Sequence, residues 1–345
     1  MTEMAPLARV NVGGVTAENP LWLAPLAEIS MPPVRALFRR MGVGLTHTEM
    51  VSSSGLCHGN RATLGMLPRE GERPIVLQLF GDEAEEMGRS LEIALFRGVT
   101  PQAVQINMAC PVRKVFRRGE GARLLERPEV AEAMIRTLVP FGLPVWAKIR
   151  LAGRGCPLST EAFCEVLFAA GASCVALHGR TAAQMYEGTG DRDAVGALAR
   201  AFPGSIVGSG DVYTAEDVRD YLARGCAAVL LARGGVRDIY SVPRILGDLG
   251  YPVAPELLDP TPAQRVETLL ALADHMAEEE GERGAMILLR RFLSGIFKGL
   301  PGAAFLRRSI STVTDRPSLE AVVRQWEQVL LEGGTNHGGS GTFAD

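Results

Sequence analysis

The chain has 345 residues, of which 47% are hydrophobic and 22% charged, and its formal net charge is −3. This balance excludes disordered and fibrous proteins, and the near-neutral charge argues against a uniformly basic nucleic-acid-binding protein. At about 150 residues per domain, the length predicts either two domains or one large α/β barrel with an appended domain.

The N-terminal segment, residues 1–10, lacks a basic stretch followed by an apolar run. No segment reaches the roughly 18 uninterrupted apolar residues that span a bilayer, so we expect a cytoplasmic protein with no membrane partner. The cysteines form no CxxC pair, which disfavours a zinc site, a redox motif and a disulfide framework, and we expect no bound metal. The six cysteines are Cys57, Cys110, Cys156, Cys164, Cys174 and Cys226.

Short β-rich runs alternate with amphipathic helical stretches through about the first 250 residues. Several of the helical stretches open with a capping residue, as at Asp82, Ser159 and Thr214. Strand–helix alternation builds parallel sheet from right-handed crossovers, and eight units are the number that closes a (β/α)8 TIM barrel. A doubly wound sheet is the alternative, but no GxGxxG motif follows the first run. The eight runs are 21–25, 44–50, 74–79, 103–107, 144–149, 173–178, 205–209 and 227–231.

Beyond about Pro252 the pattern changes to helices alone, at 262–280, 283–298, 303–310 and 318–331. We therefore predict an α/β protein with a catalytic barrel over residues 1–252 and a small C-terminal all-helical domain over residues 253–332. The glycine- and serine-rich stretch 333–345 is typical of a disordered tail.

Polar residues stand at the carboxyl ends of the predicted strands, where the active sites of TIM barrels lie. Amide, ammonium and imidazole groups occupy four successive ends, at Gln78, Asn107, Lys148 and His178. A single polar residue there usually begins a turn, but four in succession converge on one mouth. Only three of the 36 basic residues are lysines, so Lys148 indicates a site that needs a compact ammonium group.

Two glycine-rich turns follow the last two strands, at Gly208–Asp211 and Leu231–Gly235. Their backbone N–H groups, together with Arg233, suit a phosphate at the place where barrels bind one, although a purely structural role is the alternative. A cofactor anchored there reaches Gln78 and Lys148. These residues match the donor–acceptor amide and the cation that a flavin ring needs along its pyrimidine edge.

Six motifs in chain order resemble those of the dihydrouridine synthases, and residues 297–302 (FKGLPG) resemble a motif of the helical domain in that family. The likeness covers about residues 20–310. It implies FMN, tightly bound in the barrel, a helical tRNA-binding domain, and reduction of a uridine in tRNA with NADPH as the electron donor. We expect a monomer. The six motifs are residues 24–27 (APLA), 48–50 (TEM), 76–81 (VLQLFG), 106–111 (INMACP), 148–150 (KIR) and 178–181 (HGRT).

The resemblance also implies which residues hold the ligands. Asn107 suits the uracil edge, and Arg150, on the same strand face as Lys148, suits a uracil carbonyl. The complete substrate set is Asn107, Lys114, Arg150, Arg180, Arg290 and Arg291. The cofactor set is Ala24, Pro25, Gln78, Lys148, His178, Ser209, Gly210, Asp211, Ala232 and Arg233.

Cys110, in a turn after the fourth strand, is the candidate catalytic acid. Saturating the 5,6 double bond of uracil requires a hydride at C6 and a proton at C5 from the opposite face. A lone cysteine is more often a small buried hydrophobe. Here Arg113 and Lys114 lie nearby in the sequence and Pro111 restricts the turn, which favours a reactive thiol.

Two segments are strongly basic, residues 112–125 and residues 283–308, and the second contains no acidic residue. A charge run is often only a solvated face. A uridine inside folded tRNA must, however, be swung out of its stack, and basic surfaces would hold the RNA meanwhile. Because Arg283, Arg290 and Arg291 share one face at helical spacing, we assign this strip to the tRNA backbone.

Three positions depart from the family pattern: Ser209 replaces an Asn, residues 30–32 (SMP) replace a Thr-Asp-Arg-like run, and Phe292 replaces a His. By similarity, Met31 and Phe292 lie near cofactor or RNA surfaces. Two other functions stay open. One is a barrel flavoprotein that reduces a small pyrimidine or enoate, and the other is an RNA-binding relative that has lost its flavin.

Overall fold

The computed structural model describes residues 9–335, which form two compact units. Unit one comprises the described residues up to Ala232 together with Leu249–Tyr251. Unit two comprises Arg233–Asp248 and the described residues from Pro252 onward. Unit two therefore begins before residue 252, at which the sequence pattern changes, and the boundary at 252 as a limit between folding domains stays a prediction.

Unit one contains a parallel barrel of eight strands that follows a short antiparallel hairpin. The hairpin strands are β1 (Val10–Val12) and β2 (Val15–Ala17). The barrel strands are β3 (Leu21–Leu23), β4 (Thr46–His47), β6 (Ile75–Phe80), β7 (Ala103–Met108), β8 (Val145–Leu151), β9 (Cys174–Thr181), β10 (Ile206–Ser209) and β11 (Ala228–Leu231), and a short β5 (Val51–Ser52) pairs with the end of β6.

Each barrel strand lies beside the next one in the chain, and every pairing is parallel. The last strand, β11, pairs with β3, and a parallel bridge between Trp22 and Leu45 joins β3 to the start of β4. The predicted TIM barrel is therefore confirmed. Each of the eight predicted runs overlaps one of its strands, and β6, β7, β8 and β9 extend one to three residues beyond their runs.

Helices alternate with the barrel strands, and two of the three predicted capping residues are confirmed. Ser159 and Thr214 each accept a backbone N–H of the helix that they precede. The prediction for Asp82 was wrong, because α4 begins at Ala84 and the residue before it, Glu83, makes no side-chain cap. Two 3-10 helices, Gly121–Glu126 and Val139–Phe141, interrupt the longer connections. The α-helices of unit one are α1 (Pro32–Arg40), α2 (Ser53–Cys57), α3 (Arg61–Gly65), α4 (Ala84–Phe96), α5 (Arg113–Phe116), α6 (Pro128–Leu138), α7 (Thr160–Ala170), α8 (Arg192–Ala201) and α9 (Ala215–Ala223).

The hairpin closes the N-terminal end of the barrel. The Gly13 carbonyl accepts hydrogen bonds from the Trp146 indole N–H and the Ser173 hydroxyl, both at 3.0 Å, near the starts of β8 and β9. A Cβ on Gly13 would stand 2.6 Å from the Cys174 Cβ, and φ at Gly13 is +52°, so the turn requires glycine. The hairpin thus covers this end of the barrel, and the open end is the carboxyl end of the strands, where TIM-barrel active sites lie.

Side chains inside the barrel change from apolar to polar along the strands. Val76, Trp146 and Val207 belong to the apolar cluster that the hairpin covers. Inward-facing side chains in a strand are two residues apart, so the next interior layer lies closer to the open end. That next layer is polar on the same three strands, with Gln78, Lys148 and Ser209.

Unit two consists of helices alone among the described residues, and its helices after residue 252 confirm the predicted helical segments. The two predicted helices at 262–280 and 283–298 form α13, in which Gly281 departs from helical geometry with φ 73° and ψ 160°. Its start is fixed by a capping box between Thr261 and Gln264. The helices are α10 (Arg233–Arg237), α11 (Ser241–Asp248), α12 (Pro255–Leu258), α13 (Pro262–Ile296), α14 (Ala303–Ile310) and α15 (Arg316–Thr335).

Two residues that depart from the family pattern are buried: Phe292 fully, and Met31 at 8% exposure. Their expected nearness to a cofactor or RNA surface stays a prediction. Helix α15 runs through residues 333–335, the first part of the predicted tail, while residues 336–345 lie outside the described range. In residues 9–335, no helix combines the length and the apolar character that crossing a membrane requires.

Candidate active site

A chain of side-chain amides leads from the barrel interior to the turn after β7. Gln78 Nε2 donates to Gln105 Oε1 at 2.6 Å, and Asn107 Nδ2 donates to Gln78 Oε1 at 2.9 Å. Asn107 Oδ1 accepts the backbone N–H groups of Ala109, at 3.2 Å, and Cys110, at 3.0 Å. Backbone N–H groups only donate, so they determine how each amide in the chain is oriented. The chain therefore positions Cys110 relative to the barrel interior.

Gln105 and His47 are interior polar residues that the sequence reasoning missed. Both are fully buried, and the Nε2 atom of each has no hydrogen-bond partner in the described chain. His47 Nδ1 lies 2.8 Å from the Leu23 carbonyl, and burial lowers the pKa of His47 to about 4. The ring is therefore neutral, with Nδ1 protonated and a lone pair on Nε2. The period of two could have identified Gln105, which precedes Asn107 by two residues on the inward face.

The backbone at residues 121–122 supports the Cys110 turn. The Ala122 N–H donates to the Cys110 carbonyl at 3.0 Å. A Cβ on Gly121 would stand 2.7 Å from that oxygen, and φ at Gly121 is +60°, so only glycine permits this close approach. Burial raises the pKa of the half-buried Cys110 thiol, which outweighs the opposing hydrogen bond from the Val112 backbone. At neutral pH Cys110 is a protonated thiol, the form that a general acid requires.

The cations that act on Cys110 come from β8. The charges of Arg150 and Lys148 oppose the effect of burial on the thiol. Arg113 and Lys114, which the sequence suggested for this role, are exposed, and exposed charges are screened by water. The prediction that Arg113 and Lys114 act on the Cys110 thiol was therefore wrong. The cations that lower its pKa are Arg150 and Lys148, at the end of β8.

Lys148 is a buried cation without a counter-ion. It is 9% exposed, and its ammonium group has no hydrogen bond or ion pair within residues 9–335. Burial, and secondarily the Arg150 guanidinium, lower the pKa of Lys148 to about 7. A buried, unpartnered ammonium group destabilises the protein unless a ligand of opposite charge joins it.

Arg150 joins the Cys110 turn to the loop after β9. Its Nε donates to the Ala109 carbonyl at 2.8 Å, and its Nη1 donates to the Thr181 and Met185 carbonyls at 3.0 and 2.8 Å. The guanidinium carbon also lies 5.6 Å from the ring centre of Tyr186. Arg150 thus holds two mouth loops together, and its predicted contact with a uracil carbonyl stays a prediction.

Arg180 and Asp211 form an ion pair that holds the same β9–α8 loop. Arg180 is 1% exposed and donates to both carboxylate oxygens of Asp211, at 3.0 and 2.6 Å. It also donates to the Glu187 and Gly188 carbonyls, and Asp211 accepts the Gly190 N–H at 2.7 Å. The guanidinium is therefore occupied by the protein itself. Its predicted role in substrate binding stays a prediction.

Replacing Asp211 by asparagine is expected to lower the free energy of unfolding by about 1–2 kcal/mol, because one charge-assisted bond to buried Arg180 is lost. Asparagine tolerates the left-handed backbone at this position, where φ is +50°, so the substitution tests the ion pair without adding strain. Urea unfolding of the flavin-free protein measures the change. The matched control, Glu216→Gln in the exposed pair with Arg219, should change stability by less than about 0.5 kcal/mol. Equal effects of both substitutions would contradict the assignment.

The ends of β9 and β10 bring His178 and Gly210 together. His178 Nδ1 is buried without a hydrogen-bond partner in the described chain, and burial and the neighbouring cations lower the pKa of His178 to about 2. The Gly210 carbonyl accepts the Tyr221 hydroxyl at 2.8 Å, and a Cβ on Gly210 would stand 3.6 Å from His178 Nε2. Buried Ser209 pairs in register with His178. A neutral imidazole with a free nitrogen therefore faces this edge of the site.

The other predicted site residues lie as follows. The Ala24 N–H donates to the Leu231 carbonyl at 2.9 Å, so the turn at Ala24 and Pro25 adjoins the end of β11, just before Ala232. Arg233 begins α10 in unit two. Three predicted substrate-binding residues are exposed: Lys114, Arg290 and Arg291.

The mouth residues fit the flavin that the resemblance implies. Among the described residues, Lys148 has no anionic partner and His178 has a buried nitrogen without a hydrogen-bond partner. Gln78 adds a buried amide, which is bonded to Gln105 and Asn107. Within the mouth cluster, the carboxylate of Asp211 is already bound to Arg180. The uncompensated positive charge suits an anionic ring edge or a phosphate.

Comparisons with known proteins identify the family of the chain. A family model described as dihydrouridine synthase matches residues 22–331. The chain is 29% identical to probable tRNA-dihydrouridine synthase 1 of Synechocystis sp., covering 87% of this chain and 84% of the relative. It is 34% identical to the probable tRNA-dihydrouridine synthase of Rhizobium leguminosarum bv. phaseoli, over 64% and 69% of the two chains. It is 28% identical to tRNA-dihydrouridine synthase B of Pseudomonas aeruginosa, over 94% and 98%.

Proposed function

The chain belongs to the dihydrouridine synthase family, and from this membership we propose that it reduces a uridine of tRNA to dihydrouridine, using tightly bound FMN and taking its electrons from NADPH. The observation that supports this most strongly is the combination of one positioned thiol with an unpaired buried lysine. The Cys110 backbone is hydrogen-bonded to Asn107 in the amide chain. Lys148, at the end of the next strand, is buried and can bind an anionic ligand.

Gln78, Lys148, His178 and Gly210 would hold the cofactor. When bound, FMN supplies the hydride that adds to C6 of uracil. The ammonium group of Lys148 would balance the negative charge of the reduced flavin, and the Gly210 turn, next to His178, would bind the phosphate. The apolar layer below and the hairpin at Gly13 exclude water from the barrel interior.

Cys110 supplies the proton. Its S–H bond breaks as a C–H bond forms at C5, and the thiolate that remains is stabilised by Arg150 and Lys148. A proton from solvent then restores the thiol. Asn107 acts through its hydrogen bonds to the turn, so it is a positioning residue in this scheme.

The direct experiment is to purify the protein, record its absorbance spectrum, and incubate it with NADPH and unmodified tRNA. Oxidised-flavin absorbance and dihydrouridine in the digested tRNA support the proposal. Flavin without any effect on tRNA favours an enzyme for a small pyrimidine or enoate. A colourless protein that binds RNA and no added FMN favours a non-catalytic relative.

The exposed arginines of α13 would contact the tRNA backbone. Arg290→Ala combined with Arg291→Ala is expected to weaken tRNA binding and to flatten its salt dependence by roughly 1.5 log units per log unit of salt, since each phosphate contact contributes about 0.7–0.9. Filter binding at several salt concentrations measures both quantities, and flavin absorbance should not change.

The matched control replaces two exposed arginines of unit one, Arg97 and Arg200, which lie at the end of α4 and on α8. This control should leave the salt slope unchanged. If the Arg290 and Arg291 variant keeps the wild-type affinity and slope, the basic strip on α13 is only a solvated face.

A further inference from the structure

A pocket of about 510 Å³ lies beside the Cys110 turn, within unit one. Three loops enclose it: the segment after β7, the loop after β8, and the loop after β9. Its floor is apolar and includes Phe116, Leu125 and Leu151. Pro111, the residue after Cys110, and Met185, whose carbonyl binds Arg150, line the side nearest the mouth. The pocket and the active site therefore share these two loops.

The polar part of the pocket is positively charged. Arg113, Arg117 and Arg154 line it, all three are exposed, and none has an ion pair in the part of the chain that the structure describes. The acid in the lining, Glu126, is bound by Arg123 at 2.8 Å. The Arg123 guanidinium carbon also lies 5.0 Å from the centre of the Phe116 ring. Three arginines without an ion pair among the described residues therefore line the pocket.

We propose that this pocket binds the adenosine half of NADPH, with the 2′-phosphate held by Arg113, Arg117 and Arg154. The inference rests on the proposed function, because a flavoenzyme that takes electrons from NADPH must bind the far half of that dinucleotide near its mouth. An apolar cleft of several hundred Å³ with a few convergent charges is the usual form of a nucleotide-sized site. Arginine forks match phosphate oxygens in pairs, which makes a phosphomonoester a better partner than a neutral ribose.

The shape of the pocket favours this ligand over a stretch of RNA. RNA backbone phosphates follow one another along an open surface and are held by strips of charge such as the one on α13. Here the three arginines instead border one apolar cavity. Its position also suits a dinucleotide, since the nicotinamide must reach the mouth while the adenine lies on the apolar floor.

The test uses adenosine 2′,5′-bisphosphate as a probe that needs no flavin chemistry. Calorimetry on the holoenzyme should show that this probe binds at least about tenfold more tightly than 5′-AMP. The triple variant Arg113→Gln, Arg117→Gln and Arg154→Gln should bind both probes equally weakly. In stopped-flow reduction of the flavin, the same variant should raise the KM for NADPH about tenfold and leave that for NADH unchanged. Arg200→Gln, an exposed arginine on α8, serves as the control and should change neither value.

Two results would overturn the proposal: an unchanged affinity of the triple variant for the bisphosphate, or a loss confined to tRNA binding, which would assign the pocket to RNA. Uridine reduction after the flavin has been reduced with dithionite tests the proposed function separately. If the wild-type protein fails to reduce uridine in that reaction, the proposed function is wrong. The probe affinities still show whether the pocket binds the 2′-phosphate. Because the three arginines are exposed, folding should survive the substitutions, and the unchanged flavin spectrum verifies this.

Discussion

Replacing Cys110 by alanine is expected to lower the rate of dihydrouridine formation by about 10²- to 10⁴-fold, the usual contribution of a positioned general acid. Reduction of the flavin by NADPH needs no protein acid and should keep its wild-type rate. The two half-reactions are measured separately. Stopped-flow absorbance follows flavin reduction by NADPH, and mass spectrometry of digested tRNA follows dihydrouridine formation.

The pH dependence gives the same hypothesis a second test. The donor must be the protonated thiol, and burial raises the pKa of Cys110, so activity should persist above the pH at which an ordinary cysteine ionises. Activity should then fall at higher pH, as the thiol becomes thiolate. In Cys110→Ser this alkaline limb should disappear, because a serine hydroxyl does not ionise in that range, and the remaining rate should be low at every pH.

The control for these variants is Cys57→Ala, since Cys57 lies on α2 and its thiol donates to the Glu86 carbonyl. It should retain both half-reactions. If Cys110→Ala reduces uridine at the wild-type rate, the thiol is not the acid and the barrel must hold another proton donor.

Replacing Lys148 by methionine is expected to weaken FMN binding about 10- to 150-fold, which corresponds to the roughly 1.5–3 kcal/mol of a hydrogen bond to a charged group. The same substitution should not destabilise the flavin-free protein. Methionine has a similar length and no charge, so it removes a buried, unpartnered ammonium group from the folded state. A substitution that weakens FMN binding without lowering the stability of the flavin-free protein would show that Lys148 serves ligand binding and not folding.

Proton uptake distinguishes Lys148 from any other cation at the mouth. Because its pKa is about 7 in the flavin-free protein, the lysine is mostly neutral at pH 8. A bound anion favours the ammonium form and raises that pKa, so FMN binding at pH 8 should take up protons and should weaken as the pH rises. Calorimetry in two buffers of different ionisation enthalpy measures the number of protons.

In Lys148→Met this proton uptake should vanish. Lys298→Met is the matched control, because Lys298 is exposed in unit two and pairs with Asp238 at 3.5 Å. FMN affinity in the control should equal that of the wild type. Equal losses in the two variants would show that Lys148 has no specific role at the flavin.

Much of the fold was accessible from local patterns. The eight β-rich runs and the helices after residue 252 could be predicted because alternation, capping and glycine punctuation are local signals. The convergence of Gln78, Asn107, Lys148 and His178 followed from topology, since parallel strands end at the same edge. The glycine at position 281, which separates the two halves of α13, was visible in the same way.

The partners of the site residues were not accessible from local patterns. Arg113 and Lys114 are the nearest cations to Cys110 in the sequence, but solvent screens them, and the effective charges come from Arg150 and Lys148 on the next strand. Arg180 was predicted to bind substrate, yet its guanidinium is occupied by Asp211 and two loop carbonyls. Whether a cation at the mouth forms an ion pair depends on residues about 30 positions away in the sequence, as for Arg180 and Asp211. Local sequence spacing does not predict such pairs.

The sequence by itself determined that this chain would form a barrel with a polar mouth and one cysteine in a turn beside it, because strand period and strand-end chemistry are properties of short segments. Only the tertiary structure decided the electrostatics of that mouth. Burial keeps the Cys110 thiol protonated and lowers the pKa of Lys148. The loops place an apolar cavity next to three arginines that have no ion pair among the described residues. The pKa shift of a buried group depends on the atoms that exclude water from it. Those atoms come from loops that are distant in the sequence, so the shift can be inferred only from the tertiary structure.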